Sequence, residues 1–270
     1  MLSKMNLPQN TQALTYEEQL QNQVDLYNAR EGKLVGYDCR ACKNKGYIAE
    51  IRNREEVLIE CSCVEHRKHL RLLRQSGLEQ SIKNYTFKSF IVKDEWQKKI
   101  KTMCKDYFKT AKCEWLFLGG QSGCGKTHLC TAICGKYLKE GISVIYMMWR
   151  EDSTTLKQSI ANNPQYYEEK MKRYKSVPVL YIDDLFKSGK TKDGNLAISP
   201  ADINLAFDIL NYRAFRGLKT IISSELTIDE IRKVDEAIAG RIYENSISKN
   251  YGISIAYDEL KNYRFGDNNG

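Results

Sequence analysis

Gly120-Gln121-Ser122-Gly123-Cys124-Gly125-Lys126-Thr127 follows the spacing G-x-x-x-x-G-K-[ST] in full. Glycines let a backbone curl until successive N–H groups converge, and at the mouth of a helix such donors hold phosphate oxygens. In that pattern Lys126 reaches the β- and γ-phosphates of a nucleoside triphosphate, and the Thr127 hydroxyl takes one position on Mg²⁺. A second group stands at Val179–Asp184, where an apolar run ends in two carboxylates. Asp183 is placed to hold a Mg²⁺-bound water, and Asp184 to orient and deprotonate the attacking water. Alone, an Asp pair at a strand end is ordinary turn chemistry; downstream of a phosphate loop the metal reading prevails. The third group is sulfur: Cys39-x₂-Cys42 and Cys61-x-Cys63, separated by residues 43–60. Two thiol pairs joined by a hairpin suit a structural Zn²⁺, which a segment poor in large apolar residues needs in order to fold. His66 is an alternative ligand, and two chance pairs of reduced cysteines are the competing account.

These groups need elements to hold them. Trp115–Leu118 reads as a buried strand feeding the glycine turn, and Lys126–Lys139 as the helix after it, stopped by Gly141. Val144–Trp149, Val177–Ile182, Thr220–Ser223 and Ile253–Ala256 read as further strands. Helical patterns fill Trp96–Tyr107, 151–175, Ala201–Phe215, 227–233 and 235–246, with a polar loop over 187–199. Strands alternating with helices predict an α/β core, a parallel sheet covered on both faces, with its ligand at the carboxyl ends of the strands. Ahead of it lie a polar helix over 12–31, a cysteine-bracketed segment with β character on both sides of Arg52-Asn53-Arg54, and a basic helix over 65–75 broken by Ser76-Gly77. A small α+β domain over residues 1–80 and a core over 81–270 are expected.

The chain has 270 residues, 42% hydrophobic and 28% charged, within the globular range. No apolar run reaches the roughly 18 residues of a membrane span, and Met1–Gln19 lacks the apolar centre of a signal peptide. A cytosolic protein without membrane contact is expected, its nine cysteines reduced. Cys104, Cys113, Cys124, Cys130 and Cys134 then behave as small hydrophobes. The formal charge of +8 permits contact with nucleic acid without establishing it. The basic runs His66–Arg74 and Lys170–Lys175 are candidate contacts, or solvated helix faces.

From Gly120 to Leu129 the chain resembles bacterial helicase loaders of the DnaC and DnaI family and their relative DnaA, with Lys126-Thr127-His128-Leu129 the most specific run. Leu180–Leu185 resembles the family's second acidic strand, Asn211-Tyr212-Arg213 the end of its next helix, and Thr220–Leu226 its sensor strand. Glu236–Glu244 is similar to the segment bearing an arginine finger, and Asn262-Tyr263-Arg264 to the closing motif. Ser76-Gly77-Leu78 and Tyr85-Thr86-Phe87 match the entry segment. The resemblance implies an AAA+ core that binds ATP through Gly120–His128, assembles with itself in the ATP state, and places a hexameric replicative DNA helicase on single-stranded DNA. It implies that Arg241 acts in trans on a neighbour's γ-phosphate and that Arg264 touches nucleotide. The zinc module fits the Gram-positive and phage branch, where it docks on the helicase.

One departure bears on turnover. Where the family carries Asn at the sensor, this chain has Glu225, which cannot donate a hydrogen bond and repels a γ-phosphate. Ser224 is the substitute donor, and a weak ATPase is expected, with ATP as a switch. Two rivals stand beside the loader: an IstB-type transposition ATPase, which shares the core motifs, and an ATP-binding phage protein that blocks a host helicase or loader.

Overall fold

The computed structural model describes residues 14–75, 78–110, 112–187 and 197–258. Ser76-Gly77, most of the polar loop and the closing Asn262-Tyr263-Arg264 lie outside them. The chain divides into two compact units, up to Arg67 and from Lys68, so the division falls inside the basic helix, ahead of residue 80.

In the first unit, α1 (Tyr16–Ala29) begins at a reciprocal cap, Thr15 Oγ1 accepting from the Glu18 N–H and Glu18 Oε2 from the Thr15 N–H. Strands β1 (Tyr47–Arg52) and β2 (Glu55–Glu60) pair antiparallel, with Arg52 opposite Glu55. Asn53 and Arg54 join them at φ 52° and 64°, the paired left-handed conformation of a two-residue hairpin turn. The polar α1 is seated by buried Leu20 and Val24 and by Asn28, whose amide donates to Ala49 O at 2.9 Å and accepts from Ala49 N–H at 3.0 Å. Helix α2 (Cys63–Gln75) starts on the fourth cysteine.

The second unit opens with α3 (Leu78–Asn84) and α4 (Glu95–Lys109) and continues as β3 (Leu116–Gly120), α5 (Lys126–Lys139), β4 (Val144–Met148), α6 (Trp149–Asn162), α7 (Pro164–Ser176) and β5 (Val179–Asp183). Then follow α8 (Pro200–Phe215), β6 (Lys219–Ser223), α9 (Ile228–Val234), α10 (Glu236–Asn245), a 3₁₀ turn at Ile247–Lys249 and β7 (Gly252–Ile255). The helical pattern over 151–175 is two helices. Asn163 Oδ1 accepts from the Tyr166 N–H and Pro164 opens α7, both start signals.

All five strands of the sheet are parallel, in the order β4-β5-β6-β3-β7. Side chains alternate between two apolar layers, as a sheet covered on both faces requires. Phe117, Leu180, Ile182 and Ile222 enter one layer with α6 to α10; Leu116, Leu118, Tyr181 and Ile221 enter the other with α4 and α5. Because β6 lies between β3 and β5, its carboxyl end falls between the phosphate loop and the acid pair. Arg213, fully buried, ties the far end of the sheet. Its guanidinium donates to Thr220 Oγ1 and to the carbonyls of Tyr174, Lys175, Val177 and Lys219.

Candidate functional site

The phosphate loop leaves β3 through Gly120 at φ 98° and enters α5 through Gly125 at φ 87°. A Cβ on Gly120 would stand 2.1 Å from Ile255 O, and one on Gly125 2.7 Å from the Phe90 ring, so both conformation and space demand glycine. Lys126 is only 6% exposed, and its ammonium donates to Gly120 O at 2.7 Å and Gln121 O at 2.6 Å. Thr127 Oγ1 donates to Asp183 Oδ1 at 3.2 Å, joining the two halves of the site. That contact fits a shared cation: Thr127 and Asp183 would hold Mg²⁺ between them, the ion neutralising phosphate charge when bound. Asp183 is buried and accepts further bonds from Tyr146 OH at 2.9 Å, Tyr181 OH at 2.6 Å and Ser223 Oγ. Burial, then the neighbouring Asp183 charge, pushes both tyrosine hydroxyls well above their usual range, so they remain donors.

A cleft of ≈ 210 Å³ joins Ser122, Gly123, Gly125, Lys126, Thr127 and His128 to Tyr85, Asp184, Lys187 and Glu225. His128 closes one wall. Its ring stacks on Tyr85 with centroids 4.8 Å apart, and Nε2–H donates to Thr86 O at 3.0 Å. Burial holds its pKa below the ordinary imidazole value, with Lys101 acting in the same direction against the Thr86 carbonyl. The entry segment Tyr85-Thr86-Phe87 is thus pinned to the start of α5.

At the opposite wall Asp184 turns to φ 56°, and its N–H donates to Ser223 Oγ at 3.0 Å. Its carboxylate accepts from Lys187 Nζ at 2.8 Å, and the same ammonium lies 3.0 Å from Glu225 Oε1. Burial raises the Glu225 pKa, but Lys187 and Ser122, with the Lys126 charge, outweigh it and leave it lowered. Glu225 therefore lines the cleft as an ion-paired carboxylate. Ser224 does not line it. Its fully buried hydroxyl donates to Leu185 O at 2.8 Å and accepts from Leu226 N–H, so the substitute-donor role expected of Ser224 is corrected by geometry.

Ser223, Tyr146, Tyr181 and Lys187 escape the sequence reading. Tyr181 had a readable signal, since two residues before Asp183 on a strand is the same face. Lys187 had none, because its partners meet only once the sheet order is known.

Arg241 sits on α10, outside the residues lining the cleft. Its guanidinium lies 5.8 Å from the Phe207 ring centroid, and its Nε has no hydrogen-bond partner among the described residues. Arg264 lies outside those residues.

In the first unit the sulfurs of Cys39, Cys42, Cys61 and Cys63 all lie within 4.8 Å of one another, and all four residues are buried. Cys39 and Cys61 sulfurs are 3.7 Å apart and Cys42 and Cys63 sulfurs 3.4 Å, close to the edge of about 3.8 Å that Zn–S bonds of about 2.3 Å give a tetrahedron. The Gly46 N–H also donates to Cys42 Sγ at 3.3 Å. Burial opposes ionisation of Cys42, yet Gly46 and the other three thiols outweigh it and bring it down to about 6. Burial, with the Cys42 thiol, pushes Cys63 up to about 12, and burial also raises Cys61. Four sulfurs that cannot all ionise unaided suit a dication, so these cysteines could hold Zn²⁺. His66 stands outside the sulfur cluster, its ring 4.4 Å from that of Tyr37. Arg67 in the basic run is buried and donates to Val35 O and Asn44 Oδ1, which removes it from any partner-facing surface. No helix among the described residues is long and apolar enough to cross a membrane.

Comparison with known proteins agrees with this geometry. Residues 50–256 match the model of the IstB-like ATP binding protein family. The chain is 35% identical over 218 residues to the phage-like element PBSX protein XkdC of Bacillus subtilis (strain 168), covering 77% of this chain and 79% of that protein. It is 26% identical over 172 residues to the replicative helicase loader DnaI of the same organism, covering 62% of this chain and 52% of DnaI. A solved DnaI structure superposes with a TM-score of 0.52 at 24% identity, over 66% of this chain and 93% of that one, which shows the shared AAA+ P-loop fold. The matched family description is that of the rival set beside the loader, and loader kinship stands at lower identity. With its phosphate loop joined to Asp183 through Thr127, the chain belongs to the IstB-like ATP-binding family.

Proposed function

We propose that this protein is an ATP-dependent loader that places a hexameric replicative DNA helicase on single-stranded DNA, with ATP as a slowly hydrolysed switch. The observation that carries the reading is the position of Arg241, on α10 and outside the residues that line its own cleft. A cleft that carries Lys126 and Thr127, with Asp183 behind them, and is lined by no arginine among the described residues suits completion by a second protomer. Slow turnover follows because Lys187 must first be drawn off Asp184, the group assigned to activate water, before that carboxylate can act. The sulfur-stapled unit is the helicase-binding module in this reading. Its hairpin leaves Ile51 and Leu58 exposed on one face and Val57 on the other, apolar side chains of the kind a partner covers. The kinship with DnaI supports the choice of partner.

The IstB-like family description favours a second reading, an ATPase that serves a transposase. The two separate in a reconstituted fork-unwinding reaction with a replicative helicase and single-strand-coated DNA. The loader reading predicts unwinding that depends on this protein and ATP, and its loss in Lys126→Ala. Helicase activity indifferent to the protein, together with ATP-dependent stimulation of strand transfer by a transposase, would establish the second reading instead.

A further inference from the structure

The phosphate end of the cleft is lined by two carboxylates, Asp184 and Glu225, and two ammonium groups, Lys126 and Lys187, with buried Asp183 bonded to Thr127 behind it. Asp183 is engaged by four hydroxyls, and Ser224 by backbone partners. Among the described residues, the side chains at the end of β6 therefore offer no hydrogen-bond donor toward a terminal phosphate, because the Glu225 carboxylate can only accept. Lys187 supplies one. It rises from the turn after β5, about a third exposed, and is gripped on two sides, by Asp184 Oδ2 at 2.8 Å and Glu225 Oε1 at 3.0 Å. An ammonium has three hydrogens, so one is left over. Glu225 lines the same cleft as Ser122 of the phosphate loop, which sets the pair on the nucleotide side.

We propose that Lys187 is the cation that reads the γ-phosphate in this protein, with Glu225 as the positioning residue that aims it. A terminal phosphate carries more charge than a carboxylate and competes with Asp184 for the ammonium. ADP lacks that group, so Lys187 confers preference for the triphosphate. Transfer of the ammonium from Asp184 to the phosphate also uncovers the carboxylate that must meet water. One residue thereby couples recognition of ATP to the readiness of the acid. The inference rests on the nucleotide-site reading and adds a residue to it.

The test is calorimetric titration of the full chain with Mg²⁺ and either AMPPCP or ADP. Wild type is expected to prefer AMPPCP. Lys187→Met should lose about 10- to 100-fold in AMPPCP affinity, the size of one charge-assisted hydrogen bond, while ADP affinity changes by less than about threefold. Lys187→Arg should retain most of the preference. Equal weakening of both nucleotides, or of neither, overturns the proposal. Should Lys187→Met fail to fold, Glu225→Gln decides: it keeps the cation without its aim, so the preference should narrow several-fold, and an unchanged preference overturns the proposal. Lys126→Ala separates the two levels. If it binds both nucleotides like wild type, the nucleotide-site reading itself fails, whereas loss of both with a silent Lys187→Met sinks only the role of Lys187.

Discussion

At the scale of single residues, His128 shows how a side chain beside the phosphate loop is kept neutral. It is about half buried, stacked on Tyr85 and hydrogen-bonded to Thr86 O, and burial depresses its pKa. A depressed folded value means the unfolded chain takes the proton more readily. The stabilisation is therefore complete above the unfolded value of about 6.5 and is lost as pH falls through the folded one. The thermal midpoint of wild type should fall more steeply below about pH 6.5 than that of His128→Phe, which keeps the aromatic stack without the titration. Parallel pH profiles for the two proteins would contradict the assignment. His128 is legible in the sequence as a neighbour of the phosphate loop, but its partners are not. Thr86 is 42 positions away in the chain, and only α5 packing beside the entry segment brings them together. Glu225 divides the same way. Its type shows that it cannot donate to a phosphate, while its pairing with Lys187 needs the carboxyl ends of β5 and β6 side by side.

Among elements, the sulfur-stapled hairpin and the buried Arg213 hold their surroundings by opposite means. Four buried sulfurs within 4.8 Å of one another predict one Zn²⁺ per chain after dialysis, and none in Cys39→Ser/Cys42→Ser. Metal-free wild type that keeps the hairpin's fold would contradict it. Arg213 satisfies its charge on four carbonyls and one hydroxyl, at the end of α7, just ahead of β5 and at the start of β6. Arg213→Met strands those acceptors and should cost about 3–5 kcal/mol, read from denaturant midpoints; a loss below about 1 kcal/mol would show the network to be dispensable. Punctuation explains which elements the sequence discloses. Gly125 and Gly141 bracket α5, so Lys126–Lys139 is readable to the residue. Asn163-Pro164 splits the 151–175 pattern just as plainly, yet polar residues on both sides blur the apolar period that would separate α6 from α7. The spacing of the cysteines announces a metal module, whereas the choice of four sulfurs over His66 depends on where α2 turns His66 relative to the cluster.

For the whole molecule, the proposal is that ATP joins protomers through Arg241 and that the joined state loads helicase. The alternation of strands and helices makes the parallel sheet readable, but not the order β4-β5-β6-β3-β7, which puts β6 between the two halves of the site. The most direct measurement mixes two defective proteins in the helicase-dependent fork-unwinding reaction. Lys126→Ala has an empty-handed cleft but an intact Arg241; Arg241→Ala has an intact cleft but no finger. Each alone should fail to load helicase. Mixed, a Lys126→Ala protomer can complete the cleft of an Arg241→Ala protomer, and unwinding should return in part, rising with the ATP-dependent assembly of the mixture. Full loading by Arg241→Ala alone, or no recovery in a mixture that co-assembles, would contradict the account.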